Sequence, residues 1–195
     1  MKRRKKVLGT PTLAQLEKEL RRSVKRSRFA TVLQIVLYSV ISLAAAAILA
    51  VCLLFPILQV QGTAMAPNYL EDELLLCIKS DDYLPGDVVA FYHNDRIVIR
   101  RVIATAGCWV HIDEAGNVNV DGMALEEPYL TEKSLGQCNR ELPCQVPDVA
   151  YFVMGDNRAE SIDSRSSALG CISQEQIIGK VIFRIWPFQQ MGPVQ

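Results

Sequence analysis

One stretch of the chain carries no charge, and it limits what the chain can fold into. No Asp, Glu, Lys or Arg occurs between Arg28 and Glu71, and residues 29–58 are almost wholly apolar. A helix needs roughly 20 apolar residues to cross the hydrocarbon core of a bilayer. The core helix of a soluble protein rarely stays uncharged for so long, and the apolar region of a cleaved secretory signal has only about 7–15 residues. We therefore predict an uncleaved transmembrane anchor over residues 29–58, with the lipid bilayer around it.

The charges on the two sides of this anchor differ in sign, although the net charge of the chain is zero. Residues 1–28 contain eleven Lys or Arg and two Glu, whereas the remainder contains 10 basic and 19 acidic residues. Basic segments beside a span stay in the cytoplasm, because the facing leaflet is anionic and translocating them is costly. We therefore predict a basic cytoplasmic tail over residues 1–28 and an extracytoplasmic domain over residues 59–195. Because the apolar run follows the basic tail directly, we interpret the tail as a topology signal and expect no nucleic-acid partner.

The tail itself has the pattern of a helix. Thr10 followed by Pro11 is typical of a helix start. Leu13, Leu16 and Leu20 then share one face, with Lys and Arg on the other. Such a helix lies on a membrane surface or pairs with a partner helix. The alternative is a solvated basic segment that only sets the topology.

Beyond the anchor, the sequence changes to short β-branched runs that are separated by turn residues. The turn signals are Pro85-Gly86, Asn94-Asp95, Ala115-Gly116 and Asp121-Gly122. The strands predicted between them cover residues 73–78, 87–92, 97–104, 109–112, 118–120, 151–154 and 177–185. Many short strands with few helical stretches predict a mainly β domain, either a sandwich or an open barrel.

Cysteine and histidine usage argues against a metal centre in this domain. Five cysteines follow the anchor, at Cys77, Cys108, Cys138, Cys144 and Cys171. Cys138 and Cys144 are close enough in a loop-like stretch for a small disulfide in an oxidising compartment. The chain has two histidines, and neither has zinc-ligand spacing to a cysteine pair. We expect no metal site and no cofactor.

Four segments, in a fixed order, resemble those of a known family. They are Gly62–Pro67, Pro85–Ala104, Val120–Leu130, and Val153–Arg165 with Gly170 and a closing Gly179–Phe188. The fourth contains Gly-Asp-Asn-Arg-x-x-Ser-x-Asp-Ser-Arg, which is too long and too rich in uncommon neighbours to arise by chance. Together the segments resemble the type I signal peptidases over roughly residues 60–188. The resemblance implies an anchored, extracytoplasmic β domain of the signal peptidase kind.

The resemblance also implies a chemistry that this chain does not carry. Such enzymes cut secretory precursors with a serine nucleophile and a lysine base, and the lysine works only when burial lowers its pKa. By position, the nucleophile matches Ala64 and the base matches Arg100. A methyl group cannot attack a carbonyl, and a guanidinium stays protonated at any accessible pH. We predict that both residues of the dyad are replaced, and a register with Arg101 at the base position changes nothing.

The same resemblance assigns the surroundings of the dyad. Gly62, Thr63, Met65 and Pro67 match the substrate and oxyanion region. A predicted supporting network consists of Asp156, Asn157, Arg158, Ser161, Asp163 and Arg165. Within it, Ser161 matches a position that orients the lysine in active relatives, and Asp163 with Arg165 is a predicted ion pair. Because a buried network also serves the fold, its presence does not by itself indicate cutting.

We predict no replacement dyad. Thr63 adjoins the nucleophile position, but neighbours on a strand point to opposite faces. His93 and His111 lie in predicted strand or turn contexts, where a structural histidine is the commoner case.

Two functions are consistent with these observations. The first is a non-catalytic homologue that holds an extended secretory-precursor or pilin-like peptide by strand addition, in protein secretion or pilus assembly. The resemblance supports this role, since inactive homologues occur in pilus-assembly systems of Gram-positive bacteria. The alternative is an active type I signal peptidase, either through unrecognised residues or because the two replacements were engineered. A purely structural membrane protein with a decayed groove is a third possibility.

Overall fold

The first compact unit is helical. The computed structural model describes residues 13–194, so the predicted helix start at Thr10 and Pro11 lies outside the described residues. The chain divides into two units after Val51, and helix α1 covers Leu13–Leu54. Leucine and alanine, which are strong helix formers, dominate its second half. The segment Arg28–Ala50 has a mean hydropathy of 2.3 and is long enough to cross a membrane.

The helix ends before the predicted end of the anchor. Pro56 follows Leu54 closely, and proline cannot continue a helix because its ring clashes with the preceding turn. Ile57 and Leu58, which we predicted as part of the anchor, belong instead to a strand of the second unit. An apolar run does not distinguish a span from a buried strand that follows it directly.

The second unit is a mainly antiparallel β domain, which confirms the predicted fold class. Its strands are β1 (Ile57–Gln59), β2 (Leu74–Ile78), β3 (Val88–His93), β4 (Arg96–Ala104), β5 (Trp109–Ile112), β6 (Val118–Val120), β7 (Met123–Ala124), β8 (Cys144–Gln145), β9 (Ala150–Met154), β10 (Ile172–Ser173), β11 (Ile177–Trp186) and β12 (Gly192–Pro193). Two 3₁₀ turns cover Gln174–Gln176 and Phe188–Gln190. All seven predicted strands are present, within one or two residues. The prediction omitted the five strands of two or three residues at β1, β7, β8, β10 and β12.

The strands form two sheets. The larger has the order β1-β2-β11-β3-β4-β9-β10, with β12 paired to β11, and the smaller has the order β7-β6-β5-β8. The β3–β4 hairpin turns at Asn94 and Asp95, with φ of 47° and 59°. Positive φ at both central residues is the two-residue turn that matches the twist of paired strands. The predicted turn residues therefore set the hairpin that carries β4.

The larger sheet is packed on both faces. Successive residues of β3 enter different hydrophobic clusters: Val88 and Ala90 join the cluster of Leu75, and Val89 and Phe91 join a second one. This follows from the period of two, which sends successive side chains to opposite faces. The same alternation continues along β4, where it sends the side chains of Arg100 and Arg101 to opposite faces of the sheet.

Candidate functional site

The segment Gly62–Pro67 forms a turn and not a strand. The Ala66 N–H donates to the Thr63 carbonyl at 3.0 Å, and Gly62 has a φ of 76°, which favours glycine. Met65 is buried in the hydrophobic cluster and fixes this turn to the core. We expected Thr63 and Ala64 to point to opposite faces of a strand. This expectation was wrong, because both residues lie in a turn.

Backbone contacts dock this turn on the fourth motif. The Ala64 carbonyl accepts the Asn157 N–H at 3.0 Å, and the Asn157 side-chain amide donates to the Thr63 carbonyl at 3.3 Å. A Cβ on Gly155 would lie 2.5 Å from the Ala64 carbonyl oxygen, so a larger residue there would push the turn away. Two segments about ninety residues apart are thus held together.

Arg100 and Ala64 line one cavity of about 300 Å³, hereafter the groove. Arg100 Nε and Nη2 donate to the Ile162 carbonyl at 3.1 and 2.8 Å, and Nη1 donates to the Ile99 carbonyl at 2.7 Å. Burial lowers the pKa of Arg100 from its ordinary value, partly opposed by the nearby Asp163 carboxylate. Arginine is nevertheless always protonated in proteins, so the residue predicted at the base position is a cation.

Arg101 points to the opposite face of β4, into a buried ion pair. Its Nε and Nη2 donate to the two Asp156 carboxylate oxygens at 2.9 and 2.7 Å. Its Nη1 donates to the Gly86 carbonyl, and its guanidinium lies 4.0 Å from the Tyr129 ring centroid. A planar guanidinium that binds both carboxylate oxygens has a structural role, so Arg101 does not contribute to the groove.

The predicted ion pair between Asp163 and Arg165 is present and completely buried. Arg165 Nε and Nη2 donate to the two Asp163 oxygens, each at 2.8 Å. The remaining Arg165 N–H groups donate to the carbonyls of Ser134, Leu135 and Arg158. The Gly155 N–H donates to Asp163 Oδ2 at 3.0 Å. This network joins the fourth motif to the segment near residue 135.

A third buried pair was missed by the motif reasoning. Arg158 Nη2 donates to Glu127 Oε1, and Arg158 Nε donates to the Gly155 carbonyl at 3.0 Å. Glu127 lies in the third motif and is 8% exposed. Buried charges are almost always paired, but the sequence does not show that Glu127 is the buried acidic residue, since Asp121 and Glu126 lie in the same motif.

Ser161 is buried in the same region, and its hydroxyl has no hydrogen-bond partner among the described residues. A Cβ on Gly155 would lie 2.1 Å from Ser161 Oγ, so the two residues touch. A buried hydroxyl without a partner costs free energy. Arg100, which we predicted at the position of the lysine that Ser161 orients in active relatives, donates to the Ile162 carbonyl.

A polar cluster at the surface was also missed. Thr63 Oγ1 donates to Glu160 Oε2 at 3.0 Å, and the Asn157 side chain donates to the same oxygen at 3.1 Å. Pro67 is exposed and lines a second cavity with Ala66 and Asn157. Nothing in the local sequence pairs Thr63 with Glu160, because almost a hundred residues separate them.

The remaining candidates lie outside the groove. His93 contacts Asn94 at the tip of the β3–β4 hairpin, and neither His93 nor His111 lines the groove. Cys138 and Cys144 are free thiols in the structure, as are the other cysteines that it describes after the helix. Residues 13–194 contain no cluster of potential metal ligands.

The sequence is similar to those of known signal peptidases. The model of the family "Signal peptidase, peptidase S26" matches residues 32–186. Signal peptidase I of Bacillus licheniformis is 32% identical over 145 residues, which is 68% of this chain and 77% of the relative. Signal peptidase IB of Staphylococcus aureus is 32% identical over 152 residues, or 67% and 78%. A solved signal peptidase I from Enterococcus faecalis has 27% identity and a TM-score of 0.44, covering 51% of this chain and 97% of that one.

Proposed function

The chain belongs to the signal peptidase family, peptidase S26, and from this premise we propose that it is an inactive homologue that binds an extended peptide in the groove. Membership of the family implies binding of the signal peptides of secretory precursors. Together with the apolar helix α1, it indicates a single-pass membrane protein. We further propose that the N-terminus is cytoplasmic, that the β domain is extracytoplasmic, and that the protein acts in secretion or pilus assembly.

The observation that carries this proposal is the pair of side chains facing the groove. Ala64 contributes a methyl group and Arg100 a guanidinium, so this pair offers neither an attacking oxygen nor a group that accepts its proton. A serine–lysine pair works because a desolvated amine takes the hydroxyl proton. Arg100 instead donates three hydrogen bonds to backbone carbonyls.

The framework around the groove supports binding without chemistry. Three buried ion pairs hold the fourth motif: Arg101 with Asp156, Arg158 with Glu127, and Arg165 with Asp163. Breaking such a pair by removing one partner costs about 3–5 kcal/mol. These residues are therefore needed for the fold, whether or not the chain cuts a substrate.

Strand β4 offers a place for an extended peptide. It pairs with β3 over six of its nine residues, Arg96–Arg101, but with β9 only from Arg101 to Ala104. One edge of the segment 96–100 therefore lacks a strand partner, and this segment lines the groove. An unpaired strand edge accepts an extended peptide through main-chain hydrogen bonds.

Cleavage of a model precursor tests the proposal. The full-length chain in detergent should leave a precursor with a small-x-small site uncut. The double variant Ala64→Ser with Arg100→Lys should cut it, because serine then has a potential base and Ser161 can again contact a lysine. Each single change should leave the precursor uncut. The matched control double Ala66→Ser with Arg96→Lys should also leave it uncut. Processing by the unmodified chain would contradict the proposal.

One contact favours the alternative of an active enzyme. The Thr63 hydroxyl is hydrogen-bonded to the Glu160 carboxylate beside Ala64, which resembles a nucleophile with a base. A carboxylate is a much weaker base than an amine, and both side chains are exposed. We therefore favour the inactive homologue over an enzyme that uses Thr63 and Glu160. If the unmodified chain cuts the precursor and Thr63→Val abolishes the cutting, this alternative holds.

A further inference from the structure

The charge of Arg100 has no carboxylate of its own. Asp156 and Asp163 are the carboxylates that interact electrostatically with it, but Asp156 is paired with Arg101 and Asp163 with Arg165. None of the ion pairs among the described residues includes Arg100. The buried network is therefore balanced without Arg100, which adds one positive charge to the wall of the groove.

Arg100 also has unused hydrogen-bond donors. A guanidinium carries five N–H groups, and three of those on Arg100 donate to the carbonyls of Ile99 and Ile162. The two that remain are on Nη1 and Nη2, one on each. Because Nη1 and Nη2 are bonded to the same carbon, two N–H groups on them match the spacing of the two oxygens of a carboxylate. The contacts to Ile162 hold the guanidinium in place, so little side-chain entropy would be lost on binding.

The rest of the groove suits an anion. Its charged lining residues are both basic, Arg96 and Arg100, and the others include Gly62 and Ala64. The small side chains at these two positions leave room beside the guanidinium. Burial, which lowers the pKa of Arg100, reflects a desolvation cost that a bound anion would offset.

We infer that the groove binds the free C-terminal carboxylate of an extended peptide, with Arg100 as its ligand. The inference rests on the proposed function, since the peptide would reach Arg100 along the unpaired edge of residues 96–100. A chain that ends beside Ala64 places a carboxylate at the guanidinium, whereas an uncut precursor places a neutral carbonyl there. The reaction that supplies such a ligand is hydrolysis of a peptide bond, so the preferred partner is a cleaved peptide and not its precursor.

Binding of matched peptides to the full-length chain in detergent tests this inference. The probes are a short apolar peptide ending in Ala-x-Ala with a free carboxylate, the same peptide as a C-terminal amide, and the same peptide extended beyond the final alanine. A fourth probe is the amide with an Asp side chain near its end. We expect the free acid to bind about tenfold or more tighter than the other three, which is the range of a hydrogen bond to a charged group.

Variants assign the preference to Arg100. Arg100→Met should reduce the acid-to-amide ratio to about one, and measurable binding of the amide would show that the groove is still folded. Lys79→Met, which removes an exposed positive charge outside the groove, should keep the tenfold preference.

The possible failures are distinguishable. Equal binding of acid and amide, a preference that survives Arg100→Met, or a preference for the Asp side chain would overturn the inference and leave the proposed function standing. If none of the four peptides binds, the proposed function fails as well.

Discussion

Arg100 and Arg101 are neighbours in the chain, but β4 sends their side chains to opposite faces. Arg101 is 2% exposed and paired with Asp156, whereas Arg100 lines the groove and donates hydrogen bonds to the carbonyls of Ile99 and Ile162. The same residue type thus has a structural role at one position and a proposed ligand-binding role at the next. The difference comes from what each side chain meets, not from local sequence.

Replacing each arginine by methionine should show this difference in stability. Arg101→Met leaves the Asp156 carboxylate buried without its ion pair, so the free energy of unfolding should fall by about 3–5 kcal/mol. Arg100→Met leaves no carboxylate unpaired and removes only hydrogen bonds to the Ile99 and Ile162 carbonyls, so the free energy of unfolding should fall by less, about 1–2 kcal/mol. Urea unfolding followed by tryptophan fluorescence measures both, with each variant serving as the control of the other. Equal losses would contradict the assigned roles.

Glu73 gives a pH dependence whose sign can be derived. Burial raises the pKa of Glu73 above its ordinary value, and the charge of Arg184 opposes this only in part. Arg184 Nε lies 2.9 Å from Glu73 Oε2, but it is not aligned as a hydrogen-bond donor. The folded chain therefore holds a proton on Glu73 more tightly than the unfolded chain does.

Stability should accordingly decrease as the pH rises through the raised pKa of Glu73, because the unfolded carboxyl ionises first. Unfolding free energies between pH 4 and 8 measure this slope. Glu73→Gln, which keeps the size and removes the titration, should reduce the slope, whereas the exposed Glu71→Gln should leave it unchanged. A steeper decrease in Glu73→Gln would show that the assigned sign is wrong.

At the scale of elements, the proposed peptide binding depends on the unpaired edge of β4. The hairpin from β3 holds residues 96–100 in place, and β9 begins to pair only at Arg101. An extended peptide added to this edge would donate from every second N–H, because strand hydrogen bonds alternate between the two sides.

N-methylated peptides test this arrangement. Methylation of backbone nitrogens at one set of alternate positions should weaken binding severalfold, because each methyl removes a main-chain donor and blocks the approach of the edge. Methylation at the other set should have little effect. Fluorescence anisotropy with a labelled peptide measures the affinities. An effect without a period of two would indicate that the peptide is not held as a strand.

At the scale of the whole molecule, the functional proposal depends on topology. The apolar part of α1 is long enough to span a membrane, and the basic residues precede it. A cytoplasmic N-terminus would bring the β domain to the side on which secretory peptides emerge.

Reporter fusions in cells test this orientation. Alkaline phosphatase, which is active only outside the cytoplasm, should be active when fused after the β domain and inactive when fused directly after Arg28. The reverse pattern would contradict the proposed orientation. Replacing Lys25, Arg26 and Arg28 by glutamine should reduce the fraction of chains with the expected orientation, because the charge difference across the span becomes smaller.

The sequence by itself determined the apolar helix, the β class and the hairpin turns. Residues 28–50 can form a spanning helix because a continuous apolar run satisfies its backbone internally, and Asn94-Asp95 forms the turn between β3 and β4 because these residues accept positive φ. Motif order was sufficient to indicate the family, which the matches to known signal peptidases confirm. These features depend on residues that are close together in the chain.

The tertiary structure alone decided how the motifs meet. Several contacts join segments that are distant in the chain: Thr63 with Glu160, Glu127 with Arg158, and Arg100 with the Ile162 carbonyl. Local patterns cannot determine such pairs, because they depend on the sheet order that brings β4 beside β9 and on the contacts that dock the turn on the fourth motif. The predicted anchor extended to residue 58, past the helix end at Leu54, because an apolar strand follows the apolar helix there and only Pro56 marks the boundary.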